Sequence, residues 1–336
     1  MPKPGLIITA DDYGLNEAIN KGIIEGVQNG VVTSVHVLPN FVNQDDIDRL
    51  KNVVTIARNN GHSVGIGLHL NTTYGPAMID EETNFKRKDE GVKSWPGTYA
   101  YKGMNRYNRK KTVLAEMEEE LTAQFDYLSE LLGDEPIDAI SSHTNMHLWD
   151  EEFLPHIIQL AQSDNIPIRS QIRWTTKEQN PQPPHYYKAF KGTRPLVLTA
   201  RKYLDTIDAP KTAGLMLTPL DHEKLEDRYG AVKTAGLKSS RNSSGHWFGQ
   251  PSTKAMTWFM SCLPNMNVSN DGYTSEIFMH LSSTKSKAYG DHRWDYKIKK
   301  RYEEYKTITD EDFLEEFKKG IEEHQIRLGS YRDLLL

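Results

Sequence analysis

The chain has 336 residues, 37% hydrophobic and 26% charged, a balance that fits a folded globular protein and excludes a largely disordered one. Its formal net charge of −5 gives no general electrostatic attraction to nucleic acid or anionic lipid, and the run Arg109-Lys110-Lys111 reads as a solvated helix start. The single cysteine, Cys262, rules out an intrachain disulfide, and its neighbours Phe259, Met260 and Leu263 make it core rather than a nucleophile.

Met1-Pro2-Lys3-Pro4 leads directly into the run Leu6 to Ala10, which is apolar on both faces and reads as a buried parallel strand. That run is too short for a signal h-region, and no later run reaches about 18 apolar residues, so a cytoplasmic protein is the default expectation. Asp11 to Asn16 forms a turn around Gly14, with Asn16 as the N-cap of a helix through Ile19, Ile23 and Val27 that Asn29-Gly30 ends. Val31 to Leu38 is a second strand, which completes a βαβ unit and points to the α/β class.

The pattern then repeats. A helix is expected near Asp45 to Asn59, a strand over Ser63 to Leu70, a helix over Thr112 to Leu132, a strand over Ile137 to Ser142, a helix over Phe153 to Ser163 and a strand over Ile166 to Ile172. Late in the chain come a strand at Ser275 to His280, a helix at Asp310 to His324 and a closing strand at Ile326 to Tyr331. Long polar segments near residues 72–108 and 175–250 read as loop insertions in a single domain spanning 1–336. Strands alternating with helices imply a distorted or incomplete (β/α) barrel, with a doubly wound sheet as the alternative.

Four chemically capable features fall at the carboxyl ends of expected strands, where βα loops converge on one mouth. Asp11-Asp12 places two adjacent carboxylates at a buried strand end, an arrangement that needs a cation or a shared proton. One can ligate a metal while the other takes a proton from water; a helix cap is the other reading. His69 ends its strand on the same face as Gly65 and Gly67. His143 and His147 have the His-x3-His spacing, which on a helix puts both imidazoles on one face and in a loop lets them diverge. His280 ends the last long strand and is a candidate general acid. Together, Asp and His side chains from separate strands suit a divalent cation that activates water. No P-loop and no Gly-x-Ser-x-Gly elbow occurs. Loop aromatics, Tyr13 and Trp247 among them, offer flat surfaces for sugar rings.

The segment Thr9-Ala10-Asp11-Asp12-Tyr13-Gly14-Leu15-Asn16 resembles the Asn-Ala-Asp-Asp-Phe-Gly-Leu opening of the YdjC-like (ChbG-type) carbohydrate deacetylases. Asn29 to Ser34 is similar to that family's Asn-Gly-Ile-Val-Thr-Ser, and Gly67-Leu68-His69-Leu70 to its Gly-Leu-His-Leu. Ser141 to His147 is similar to its Asp-Ser-His-x-His-x-His, and Arg327 to Asp333 to its closing motif. The resemblance implies a distorted barrel, a divalent ion (magnesium foremost, zinc second) and an N-acetylated amino sugar as substrate. Carried over, Asp12, His69 and His143 are the metal ligands and Asp11 the proton-transferring carboxylate. His280 or His147 then protonates the departing amine, and His147, Asn145, Arg169, Tyr13 and Trp247 are expected to face the sugar. A homodimer is also implied. The chain departs from the pattern at Ser141 (Asp in the family), Asn145 (His) and Leu281 (Pro). The alternatives are a non-catalytic sugar-binding protein on the same fold and another metal-dependent hydrolase such as a phosphoesterase.

Overall fold

The computed structural model describes residues 4–71, 77–79, 111–143, 154–169, 230–240, 242–244, 274–285 and 295–335. Most of both long polar segments, and with them Asn145, His147 and Trp247, lie outside the described residues. In chain order the elements are β1 (Gly5–Tyr13), α1 (Glu17–Gln28), β2 (Ser34–Val37), α2 (Gln44–Asn59), β3 (Gly65–Leu70), α3 (Lys111–Leu132), β4 (Ile137–Ser142) and α4 (Leu154–Ser163). They continue with β5 (Asn242–Ser244), β6 (Thr274–Met279), α5 (Asp295–Ile308), α6 (Glu311–Glu323), β7 (Arg327–Leu328) and α7 (Tyr331–Leu335).

Local chemistry explains the boundaries. Asn16 Oδ1 accepts from Ile19 N at 3.0 Å and starts α1, and Gly30, at φ 75°, terminates it in the left-handed conformation that glycine adopts without a Cβ clash. Asn43 and Asp46 form a reciprocal capping box on α2, and Asp310 caps α6 through Phe313 N.

All strand pairs are parallel, in the order β4-β3-β2-β1-β6-β5, with β7 also on β1. An Ile140–Ile168 bridge, and Ile168 N donating to Lys238 O at 3.0 Å, carry the backbone pairing past β4 toward the segment that precedes β5. The sheet is therefore a curled, incomplete barrel of the α/β class, as expected, and not an open doubly wound sheet. The segment read as a strand from Ile166 is a single bridge within the described residues. The closing strand stops at Leu328, because Ser330 Oγ accepts from Asp333 N and begins α7. Helix α5 was not anticipated.

The strands have two unlike faces. Outward residues Leu6, Ile8 and Ala10 join Ile23, Val27, Leu50, Leu121 and Phe317 in one large apolar core between sheet and helices; each fully buried Leu or Ile there contributes about 1.5–3 kcal/mol. Inward, among the described residues, Ile7, Ala139 and Tyr331 form a small apolar cluster, and Tyr331 comes from α7. Above that small floor the barrel interior is polar and charged, and it is this lining that makes the site.

Candidate active site

The site begins with an irregularity in β1. Ala10 pairs with Val35 and Tyr13 with Val37, so three steps on β1 face two on β2. This bulge falls on the acidic pair, with Asp12 at φ 72°. Consecutive strand residues normally point to opposite faces; a bulge with one left-handed residue re-aims a side chain. Here it brings both carboxylates to one imidazole: Asp12 Oδ1 is 3.3 Å from His69 Nε2, and Asp11 Oδ1 is 3.9 Å from His69 Nδ1.

A second bulge lies in β4, where Ile66 pairs with Ile137 but Leu68 pairs with Ile140. It lets Asp138 and Ser141, three residues apart, both face inward. Asp138 accepts from Ser34 Oγ, Tyr331 N and Arg332 N. Ser141 reaches the histidines. Strand β3 makes room for these groups: a Cβ on Gly65 would overlap the Asp138 carboxylate, and one on Gly67 would overlap the His36 imidazole.

Asp12, His69 and His143 meet at the rim. His143 Nδ1 is 2.8 Å from Asp12 Oδ1, and the His69 and His143 rings stand edge to face, 5.7 Å apart. All three residues are buried, and their ligand atoms lie within 4.8 Å of one another. Arg301, from the unanticipated α5, places Nη2 2.5 Å from the other oxygen, Asp12 Oδ2. Burial alone would push the Asp12 carboxyl up, but His143 and Arg301 outweigh it and hold it well below the ordinary carboxylate value.

Asp11 is gripped from the other side. Arg169 Nη1 and Nη2 each donate to one of its oxygens at 2.8 Å, and Arg169 Nε donates to Glu276 Oε1 at 2.8 Å. Thr9 Oγ1 also donates to Glu276 Oε1, at 2.7 Å. Burial raises Asp11, yet the Arg169 guanidinium and the nearby His69 and His36 leave its carboxyl far below its usual value. Burial raises Glu276 and is not overcome, so Glu276 keeps its proton to higher pH than a free glutamate. The two carboxyls sharing Arg169 are thereby pushed apart in acidity.

The residues singled out from sequence divide into three groups. Asp11, Asp12, His69 and His143 converge, and His280 Nε2 lies 4.0 Å from Asp11 Oδ2 at the partly exposed edge of the cluster. Arg169 is present but buried behind Asp11, with donors directed at Asp11, Glu276 and His36. Tyr13 is fully buried in the outer apolar core, and its hydroxyl donates to Asp46 O at 2.9 Å, so its observed contacts are with α2. Sequence reasoning missed three residues, His36, Glu276 and Arg301. The alternation Ser34-Val35-His36-Val37 carried a signal for the first, and Thr274-Ser275-Glu276 one for the second.

Among the described residues, two sets of side chains have the donor chemistry of a cation site: Asp12-His69-His143 and Asp11-His36-His69. In the second, the Arg169 guanidinium already holds Asp11 and lies 3.4 Å from His36 Nδ1, so a positive charge is in place. The first set, one carboxylate and two imidazoles, fits a divalent ion.

Fold and site together define an α/β barrel protein with a buried carboxylate–imidazole cluster at the carboxyl rim of its strands. The profile of the YdjC-like protein family matches residues 5–319, and the chain belongs to that family. A carbohydrate deacetylase of Clostridium beijerinckii is 31% identical over 172 residues, covering 49% of this chain and 59% of the relative. A chitooligosaccharide deacetylase of Proteus mirabilis is 29% identical over 164 residues, covering 49% and 58%. The chain thus spans less than two thirds of the length of these two relatives. A carbohydrate deacetylase of Geobacillus stearothermophilus is 29% identical over 223 residues, covering 63% and 78%. The crystal structure of an Enterococcus faecalis V583 protein, provisionally described as a cellobiose-phosphate cleavage protein, aligns with a TM-score of 0.63 over 99% of this chain and 100% of the other. At 20% identity, it speaks to the fold alone. Among the described residues no helix is long and apolar enough to cross a membrane.

Proposed function

We propose that this chain is a divalent-cation-dependent hydrolase that removes the acetyl group from an N-acetylated amino sugar or chitooligosaccharide. The observation that carries the reading is the convergence of Asp12, His69 and His143, from three different strand ends, with ligand atoms within 4.8 Å of one another. The names of the family relatives supply the substrate class.

Asp12, His69 and His143 would hold the ion. When bound, a divalent cation acidifies water and polarises an amide carbonyl. Two imidazole donors favour zinc, while the carboxylate and water oxygens also suit manganese and the magnesium that the resemblance implies.

Asp11 is the proton acceptor in this reading. Arg169 takes one lone pair on each oxygen and leaves each with another, so the carboxylate remains able to accept a proton from water. Its lowered basicity makes it a weak base, so this role would require the water to be acidified by the ion that Asp12, His69 and His143 would hold. His280, beside Asp11 and partly exposed, protonates the departing amine in this reading. Phosphate ester hydrolysis is less well supported, since Arg169 is engaged by two carboxylates.

The test is acetate release from N-acetylglucosamine oligomers after chelation and after adding back zinc, manganese or magnesium in parallel. Release that depends on the cation and disappears in Asp12→Asn supports the reading. Saccharide binding without acetate release under every metal condition points to the non-catalytic alternative, and full activity in Asp11→Asn defeats the base assignment.

A further inference from the structure

A single hydroxyl stands between two imidazoles inside the barrel. Ser141 Oγ is 2.5 Å from His36 Nδ1 and 2.7 Å from His69 Nδ1, with the Leu68 carbonyl 3.5 Å away. Ser141, His36 and His69 are all buried. A serine hydroxyl has one proton to donate and can accept two hydrogen bonds, so the short contacts on either side of it cannot be chosen independently.

The direction is set from the far end. Arg169 Nη2 lies 3.4 Å from His36 Nδ1, and a guanidinium only donates, so His36 Nδ1 presents its lone pair. Asp11 Oδ1 is 3.6 Å from the same nitrogen, beyond hydrogen-bonding reach. With a lone pair on His36 Nδ1, Ser141 must donate to it, because two acceptors 2.5 Å apart would repel. Ser141 then has no proton for His69 and accepts from it. His69 therefore carries a proton on Nδ1, and Nε2, the nitrogen 3.3 Å from Asp12 Oδ1, is the one that a cation shared with that carboxylate would take. Sending the Ser141 proton to the Leu68 carbonyl gives the same result for His69. The opposite tautomer requires an N–H on His36 aimed at a guanidinium.

We infer that His36 is a positioning residue which, through Ser141, keeps a proton on His69 Nδ1 and so leaves Nε2 as the nitrogen turned to the Asp12–His143 cluster. The inference rests on the reading of that cluster as a cation site. Partners that orient a ligating imidazole are worth about 10–100-fold in metal affinity. The absent Cβ of Gly67, which lets the His36 ring pack against β3, and the bulge that turns Ser141 inward both serve this relay.

The decisive measurement needs no variant. Long-range 1H–15N spectra of histidine-labelled, metal-free protein should show a proton on His69 Nδ1; a bare Nδ1 overturns the inference. Zinc and manganese titrations then compare variants. His36→Leu and Ser141→Ala should each weaken binding by about tenfold or more and move His69 to a mixture of tautomers. His36→Asn, whose amide oxygen can stand where Nδ1 stood, should restore most of the affinity. Unchanged affinity and tautomer in a folded His36→Leu protein would overturn the assignment. A wild-type protein that binds no divalent ion would instead remove the cation-site reading, while the His69 spectrum still decides the tautomer.

Discussion

Asp11 and Arg169 meet inside the barrel through two parallel hydrogen bonds of 2.8 Å, with the guanidinium spanning both carboxylate oxygens. Planar bidentate pairing of this kind is the strongest arrangement available to the two side chains, and both are almost wholly shielded from water.

Removing one partner leaves a buried charge without compensation. Arg169→Met should destabilise the fold by about 3–5 kcal/mol, read from urea denaturation. The pH dependence follows from the sign of the shift. The folded Asp11 carboxyl lies below its ordinary value of 3.8, so its stabilising contribution is present above that pH and is lost as pH falls through the folded value. Without Arg169 the carboxyl rises, and the acid limb of kcat/KM should move to higher pH.

Asp12 combines a charge with a backbone constraint. At φ 72° a residue other than Gly, Asn or Asp is strained by about 1–2 kcal/mol. Asp12→Asn keeps a side chain that tolerates this conformation and removes the charge; Asp12→Ala removes both. The two should lose cation affinity alike by calorimetry, whereas Asp12→Ala should unfold at lower urea concentration by about the strain difference.

Gly67 and Gly133 separate two uses of glycine. A Cβ at Gly67 would overlap the His36 ring, so Gly67→Ala should cost about 1–3 kcal/mol as an overpacked site and weaken cation binding. Gly133 has φ 61° and no atom within 4 Å of its would-be Cβ. Gly133→Ala should cost about 1 kcal/mol from the backbone alone and leave binding unchanged. Comparing the two titrations distinguishes crowding of the site from general destabilisation.

The contact that seats α5 against α1 should fade in alkali. Tyr305 Oη donates to Glu25 Oε2 at 2.5 Å, and burial with the Glu25 carboxylate pushes the phenol up to about 12 from 10.0. A raised folded value means the contribution is complete below pH 10 and lost as pH rises through about 12. The melting temperature of wild type should therefore exceed that of Tyr305→Phe at pH 8, and the two should converge as pH approaches 12.

Much of this architecture is written locally. Asn16, Asn43 and Asp310 mark helix starts by their side-chain chemistry, and the rim residues Asp11, Asp12, His69 and His143 each follow a recognisable strand. What escapes a local reading depends on three-dimensional closure. Arg301, Glu304 and Thr307 are buried on α5, so the helix packs a polar stripe inward and shows little apolar periodicity. His36 alternates with Val35 and Val37, and Glu276 follows Thr274 and Ser275, as solvent-facing residues would, yet both are buried. The bulges at Asp11-Asp12 and between Asp138 and Ser141 arise from strand pairing, and no residue type announces them.

The placement of β1 between β2 and β6, with β7 on its first residues, bears on how the chain is made. The β6 side of β1 stays without its partner until synthesis has passed residue 279, and its first residues wait for Arg327 and Leu328. Non-local pairing of this kind is slow and leaves an open sheet edge exposed while it waits. The strand that carries the acidic pair is thus translated before every strand it pairs with and completed only by the latest of them, so a fragment ending before residue 274 should aggregate rather than bind a cation.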